Sequence, residues 1–157
     1  MRRRLITAVS QVGPRTDQHW FDLGSVATVE VTSETKDHPV EYALLLSETR
    51  GWRAAQPGAQ LIRLLFDHPL KVKRISLVFE ETGNTRTQEF VLRWSSDLGR
   101  SFREIVRQQW NFSPPGTVQE LEDYSVDLAD LTVMELEIIP DKSGGEARAS
   151  LESLRLA

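Results

Sequence analysis

Apolar and polar residues alternate through much of the second half of the chain. Over residues 87–95, Phe90, Leu92 and Trp94 share one side, and Glu89, Val91 and Arg93 share the other. Over 123–128, Tyr124, Val126 and Leu128 alternate with Asp123, Ser125 and Asp127. Over 132–139, Met134, Leu136 and Ile138 alternate with Glu135 and Glu137. A pleated strand sends successive side chains to opposite faces, so this period predicts antiparallel strands with one face buried. Two segments change phase. Val72 is followed by Ile75, Leu77 and Phe79, a slip at Lys73-Arg74. Ala149 and Leu151 are followed by Leu154 and Leu156, a slip at Glu152-Ser153. Such a slip keeps the apolar side inward only if the strand bulges there.

The first half is read more coarsely. Residues 26–32, 42–46 and 60–66 read as strands, and 49–59, with Gly51, Pro57 and Gly58, as a long irregular loop. Breaks fall at 81–86, 97–101, 113–117 and 141–146, and Asp67-His68-Pro69 reads as a turn before a strand. Residues 102–112 fit both periods. Phe102, Ile105, Val106 and Trp110 suit a helix, but Trp110 and Phe112 keep the two-residue period, and strand is preferred. The count is about nine short strands, which predicts an all-β sandwich or barrel.

With 157 residues, a single domain is expected, residues 1–19 forming an irregular or peripheral segment. The absence of cysteine excludes a disulfide framework, thiol catalysis and cysteine-ligated zinc. No apolar run approaches the roughly 20 residues of a membrane span. The basic start Arg2-Arg3-Arg4 has no apolar stretch after it, so no secretory leader is expected and a cytoplasmic location is. The net charge is −4, with a modest basic excess over 61–110 and an acidic third over 111–157 that holds three basic against ten acidic residues. The basic excess is spread along strands rather than clustered, so no nucleic-acid partner is expected.

One order of segments is informative. Arg50-Gly51-Trp52-Arg53 leads to Gln60-Leu61-Ile62-Arg63-Leu64-Leu65-Phe66, and then to Val72-Lys73-Arg74-Ile75-Ser76-Leu77. The stretch Leu92-Arg93-Trp94-Ser95-Ser96-Asp97-Leu98-Gly99-Arg100-Ser101-Phe102 follows, then Leu136-Glu137-Ile138-Ile139-Pro140-Asp141. The chain closes on Ala149-Ser150-Leu151-Glu152-Ser153-Leu154. Over roughly residues 20–157 this resembles the discoidin, or galactose-binding-domain-like, family, which includes coagulation-factor C-type domains and many carbohydrate-binding modules. Leu98 separates the aspartate and glycine that are adjacent in the family's hairpin. The resemblance implies a jelly-roll β-sandwich of two antiparallel sheets, long loops at one end, and a non-catalytic binding role toward glycans, phospholipid headgroups or proteins. Many members carry a structural calcium near the Trp52-like position. Arg50-Gly51 stands where aspartate-glycine is common, so neither that metal nor any other cofactor is expected.

Other chemistry is weakly signalled. His19, His38 and His68, with Asp37 and Asp67, lack the short spacing of a metal site. No nucleophile elbow and no phosphate loop is present. The carboxylate pairs Glu80-Glu81, Glu120 with Glu122, and Glu135 with Glu137 read as solvated strand faces rather than as a glycosidase pair. A sugar, by contrast, needs a flat ring for its C–H face and polar groups for its hydroxyls. Trp52 with Arg53 in the first long loop, and Trp110 with Asn111 and Arg107 near the next turn, supply those types. These five are the candidate ligand-binding residues, although burial in the core is the ordinary fate of both tryptophans. The expected function is carbohydrate binding. The alternative is an intracellular protein-interaction scaffold with no sugar ligand. The two open edges of a lone sandwich also allow self-association.

Overall fold

The computed structural model describes residues 19–157, so most of the expected peripheral segment, residues 1–18, lies outside the described residues. The elements are α1 (Leu23–Val26), β1 (Ala27–Val31), α2 (Glu41–Leu44), β2 (Trp52–Pro57), β3 (Gln60–Glu80), β4 (Arg86–Ser95), β5 (Arg103–Phe112), β6 (Gln119–Ile139), β7 (Arg148–Leu151) and β8 (Ser153–Leu156). No helix among the described residues is long and apolar enough to cross a membrane.

The layers are built by two long strands that each serve both. The first part of β3 pairs with β1 and with the second part of β6, which continues to β4 and β5. The second part of β3 pairs with β8 and with the first part of β6. Between these parts the β3–β6 register shifts three times, between Leu65 and Leu70, Leu70 and Val72, and Val72 and Arg74. The last of these is the bulge expected at Lys73-Arg74. On β6 the change of direction falls at Asp130, which takes a left-handed φ of 56°. A short β2–β7 ribbon extends one end. The layers meet through Phe79 on β3 and Phe90 on β4, with ring centroids 5.2 Å apart. Ile62, Leu64, Ile75, Leu77, Leu92, Leu136 and Ile138 complete the core between them.

Several expectations need correction. Residues 42–46 do not form a strand. Glu41–Leu44 is a helical turn, and Arg155 on β8 fixes it by donating to the carbonyls of Ala43 (3.0 Å) and Leu45 (3.1 Å). Part of the presumed loop at 49–59 is strand β2. Asp67-His68-Pro69 does not end a strand but lies within β3, where the chain crosses between layers. Residues 60–79 and 123–139 are each one strand rather than two, residues 149–156 are two strands rather than one, and with 42–46 lost and β2 gained the described residues hold eight strands rather than nine. The preference for strand over helix at 102–112 matches β5.

The outer face of the larger layer carries an ordered row of charge. Glu30, Arg63, Glu135, Arg93 and Glu104 are successive cross-strand neighbours on β1, β3, β6, β4 and β5. Arg63 bonds Glu30 at 3.0 Å and Glu135 at 2.7 Å, and Arg93 lies 3.8 Å from Glu135. Slipping any strand by one residue would put like or apolar groups opposite each charge, so the row holds the register. Glu135 is its buried member. Glu135→Ala should therefore cost about 1–3 kcal/mol in urea unfolding, by removing the buried carboxylate that Arg63 and Arg93 share, although Arg63 keeps Glu30 and Arg93 keeps Glu137. Exposed Glu104→Ala should cost about 0.5 kcal/mol or less. Equal costs would contradict this role for the row.

Candidate functional site

Loops from both layers converge where β3 ends and β4 and β6 begin or end. There, the β2–β7 ribbon and the β3–β4 and β6–β7 connections enclose a cleft of about 460 Å³. Its walls include Thr35, Arg53, Glu80, Glu81, Thr82, Asn84, Glu146, Arg148, Ser150 and Glu152. Arg53 and Ser150 face each other across the ribbon, and Arg148 lies further along it, opposite Pro57. Glu152 is fixed by its N–H, which donates to the Val78 carbonyl at 2.8 Å.

The ribbon sits close because residue 51 is glycine. Gly51 has φ +71°, and a Cβ there would lie 2.8 Å from the Leu151 carbonyl. The next residue, Trp52, is fully buried, and its indole N–H donates to the Ser33 carbonyl at 3.0 Å. Its ring has no face for a ligand, which corrects the reading of Trp52 as a stacking surface. Trp52 anchors the ribbon from beneath, while Arg53, on the opposite face, reaches the cleft.

The candidates on β5 do not join it. Gln108, Trp110 and Phe112 point inward, while Arg107, Gln109 and Asn111 point outward. Trp110 and Asn111 therefore stand on opposite faces and cannot grip one sugar together. Arg107 is held by Glu89 (3.1 Å) and Glu104 (3.0 Å), and Asn111 accepts a hydrogen bond from Thr87 Oγ1 at 2.8 Å. Of the five residues read from the sequence, only Arg53 lines the cleft.

The sequence shows Glu80 and Glu81 only as a solvated carboxylate pair, and nothing in its pattern singles out Glu146 or Glu152 as their neighbours in one cleft. Five charged cleft residues, Arg53, Arg148, Glu80, Glu146 and Glu152, form no ion pair among the described residues. Burial, and after it the charge of Glu80, raises the Glu152 carboxyl above its ordinary value, with Arg53 and His38 acting the other way. The hydroxyl oxygen of Thr35 is buried without a hydrogen-bond partner among the described residues.

A buried polar chain supports the floor. Glu81 accepts from the N–H groups of Gly83 (2.9 Å) and Asn84 (3.2 Å), shaping the β3–β4 loop, and from Arg86 Nε at 2.6 Å. Burial opposes the Glu81 charge, but Arg86 and the loop N–H groups outweigh it and hold the carboxyl below its ordinary value. Arg86 then donates to Gln88 Oε1 (3.0 Å) and to the Pro140 carbonyl (2.8 Å), and stacks over Phe112 with 4.8 Å to the ring centroid. Gln88 crosses the layers to donate to Glu120 at 3.1 Å. Glu120 and Glu122 are thus buried on the inner face of β6, not solvated as the pattern was read. Burial, and then the neighbouring Glu122 carboxyl, push Glu120 up to about 9.

In the unfolded chain Glu120 ionises in the ordinary carboxylate range, while the folded chain keeps its proton until about 9. The stability this contributes is fully present below the ordinary range and is lost as pH rises toward the folded value. Glu120→Gln should keep the fold and flatten the decline of the thermal midpoint across that window. An unchanged slope would contradict a proton held at Glu120. Trp52→Ala should cost about 3–5 kcal/mol of stability, the loss expected for a buried tryptophan. A midpoint near that of the parent chain would return Trp52 to the surface.

No family model and no curated protein sequence matches the chain. Solved structures match its fold. A family 32 carbohydrate-binding module of a Clostridium perfringens family 89 glycoside hydrolase, in complex with GalNAc-β-1,3-galactose, is 18% identical. That match covers 88% of this chain and 99% of that one, with a TM-score of 0.64. The family 32 module of AlyQ, in complex with 4,5-unsaturated mannuronic acid, is 16% identical over 89% and 98% of the two chains, with a TM-score of 0.62. A coagulation-factor 5/8 type C domain from Bacteroides fragilis is 10% identical over 90% and 97%, with a TM-score of 0.61. The chain has the galactose-binding-domain-like β-sandwich fold that its sequence resembles.

Proposed function

We propose that this chain is a non-catalytic carbohydrate-binding module and that its ligand lies in the cleft between the β2–β7 ribbon and the β3–β4 loop. The observation that carries this reading is the set of five charged side chains that line one cleft without pairing to one another. A guanidinium offers several N–H donors in a plane, and a carboxylate offers lone pairs. Adjacent sugar hydroxyls both donate and accept, so they match such a mixed wall. The cleft volume falls within the roughly 300–1,000 Å³ usual for small-molecule sites. The structural neighbours that carry sugars support the same class. A fold alone does not select a ligand, so the weight rests on the cleft.

The ligand should be held by hydrogen bonds more than by ring stacking. Saturation-transfer NMR or a glycan array with the full chain tests the reading. Arg53→Ala and Arg148→Ala should each weaken a binding sugar by about tenfold, the scale of a lost charge-assisted hydrogen bond. Both residues are exposed, so the thermal midpoint should stay close to that of the parent chain. Arg107→Ala, on the outer face of β5, should not change binding, and the sugar should be recovered uncleaved. A flat array would overturn the reading in favour of a protein-interaction scaffold. Sugar binding abolished by Arg107→Ala would move the site to β5.

A further inference from the structure

We infer that Glu120, buried between the layers, is a positioning residue for the cleft: it acts through Gln88 and Arg86 on two of the connections that enclose the cleft, and a negative charge on it loosens both. The inference does not depend on which ligand the cleft takes.

One guanidinium ties the two connections. Arg86 donates from Nε to Glu81 at 2.6 Å, and Glu81 in turn accepts from the N–H groups of Gly83 and Asn84 in the β3–β4 loop. Arg86 also donates from Nη1 to the Pro140 carbonyl at 2.8 Å, where the β6–β7 connection begins. Asp141, the next residue, is a second carboxylate within reach of the Arg86 charge. The first connection contributes Thr82 and Asn84 to the cleft walls, and the second contributes Glu146 and Ala147.

The same guanidinium is linked inward. Arg86 Nη1 donates to Gln88 Oε1 at 3.0 Å, and Gln88 Nε2 donates to Glu120 Oε1 at 3.1 Å. Gln88 and Glu120 are fully buried. Each end of this relay has one atom to spare, since Arg86 Nη2 and Glu120 Oε2 have no partner among the described residues. A free donor on a cation therefore stands one side chain away from a free acceptor on an acid.

While Glu120 keeps its proton it is neutral, and the Arg86 charge is left to Glu81 and Asp141. An ionised Glu120 would place a charge beside Glu122 in the interior. Such a charge is costly unless a cation meets it, and Arg86 is the cation that acts on Glu120. Hydrogen bonds to an ionised acceptor are the stronger ones, so Arg86 would be drawn toward Glu120 and away from Glu81 and Pro140. Among the described residues, the titratable or charged groups facing Glu120 are Glu122 and Tyr124 on its own strand and Arg86 on β4. The inward residues packed from β3, Leu77 and Phe79, and from β5, Trp110 and Phe112, carry no charge.

Carbon-detected NMR of the full chain tests this, because it needs no labile N–H signal. The titration runs from neutral pH to beyond the value of about 9 at which Glu120 ionises. The Glu120 side-chain carboxyl carbon should titrate there, and the backbone carbonyls of Gly83, Asn84 and Pro140 should move with the same midpoint. The carbonyls of β1 should not move. In Glu120→Gln the step at the three loop carbonyls should vanish. Where a sugar binds, its affinity should fall about fivefold over this range in the parent chain, the scale of a modest coupling between sites, and stay level in Glu120→Gln. Loop carbonyls that stay flat while Glu120 titrates would overturn the inference. So would a step that persists in Glu120→Gln, or one shared by β1, the mark of general unfolding. A flat glycan array overturns only the carbohydrate reading, because the carbonyl shifts are read without a ligand.

Discussion

The antiparallel pairing of β3 with β6 is the constraint on which the rest of the molecule depends. Each strand is 21 residues long, and each passes from one layer to the other. A single pairing therefore fixes the register of both sheets and the spacing between them. The crossing is possible because the ladder breaks at three points on β3, and because Asp130 accepts a left-handed backbone on β6. Bulges of this kind re-aim a strand while keeping its apolar residues inward. Once the layers are set, the ends of β3, β4 and β6 bring the long connections together at one end of the sandwich.

That end is polar above and below. Burying Glu120, Glu122, Gln88 and Arg86 between the layers is costly unless their groups are paired. The chain from Glu81 through Arg86 and Gln88 to Glu120 supplies part of the pairing, leaving one Arg86 nitrogen and one Glu120 oxygen without a partner among the described residues, and it also fixes the loop that walls the cleft. Arg86 is thus a positioning residue. It touches no candidate ligand group, yet it holds Glu81, which in turn holds the backbone of Gly83 and Asn84. Above this floor, Arg53, Arg148, Glu80, Glu146 and the half-buried Glu152 form no ion pair among the described residues. The outer face of the larger layer shows the opposite arrangement, with its charges neutralised in a cross-strand row, which leaves few free groups for a ligand.

The strand period and the bulge at Lys73-Arg74 were legible because burial on one face imposes a two-residue period that a single sequence displays. The same rule could have placed Glu120 and Glu122 indoors. They are in phase with Tyr124, Val126 and Leu128, and their charge alone led to the opposite reading. The joining of strands across Asp67-His68-Pro69 was hidden, because turn-forming residues look the same at a turn and at a bulge. The cleft was legible only through Arg53. Its other walls, Glu80, Arg148, Ser150 and Glu152, come together through the pairing of β2 with β7 and of β3 with β8, contacts between residues far apart in sequence. Trp52 and Trp110 drew attention as aromatics near loops, but each lies on the inward phase of its strand.

The central claim is that recognition occurs at the β2–β7 cleft. Backbone amide NMR of the full chain, titrated with a sugar that the chain binds, maps it directly. The account predicts shifts concentrated at Arg53, Thr82, Arg148, Ser150 and Glu152, with β5 unmoved. Shifts centred on Arg107 and Asn111, with the cleft silent, would contradict it.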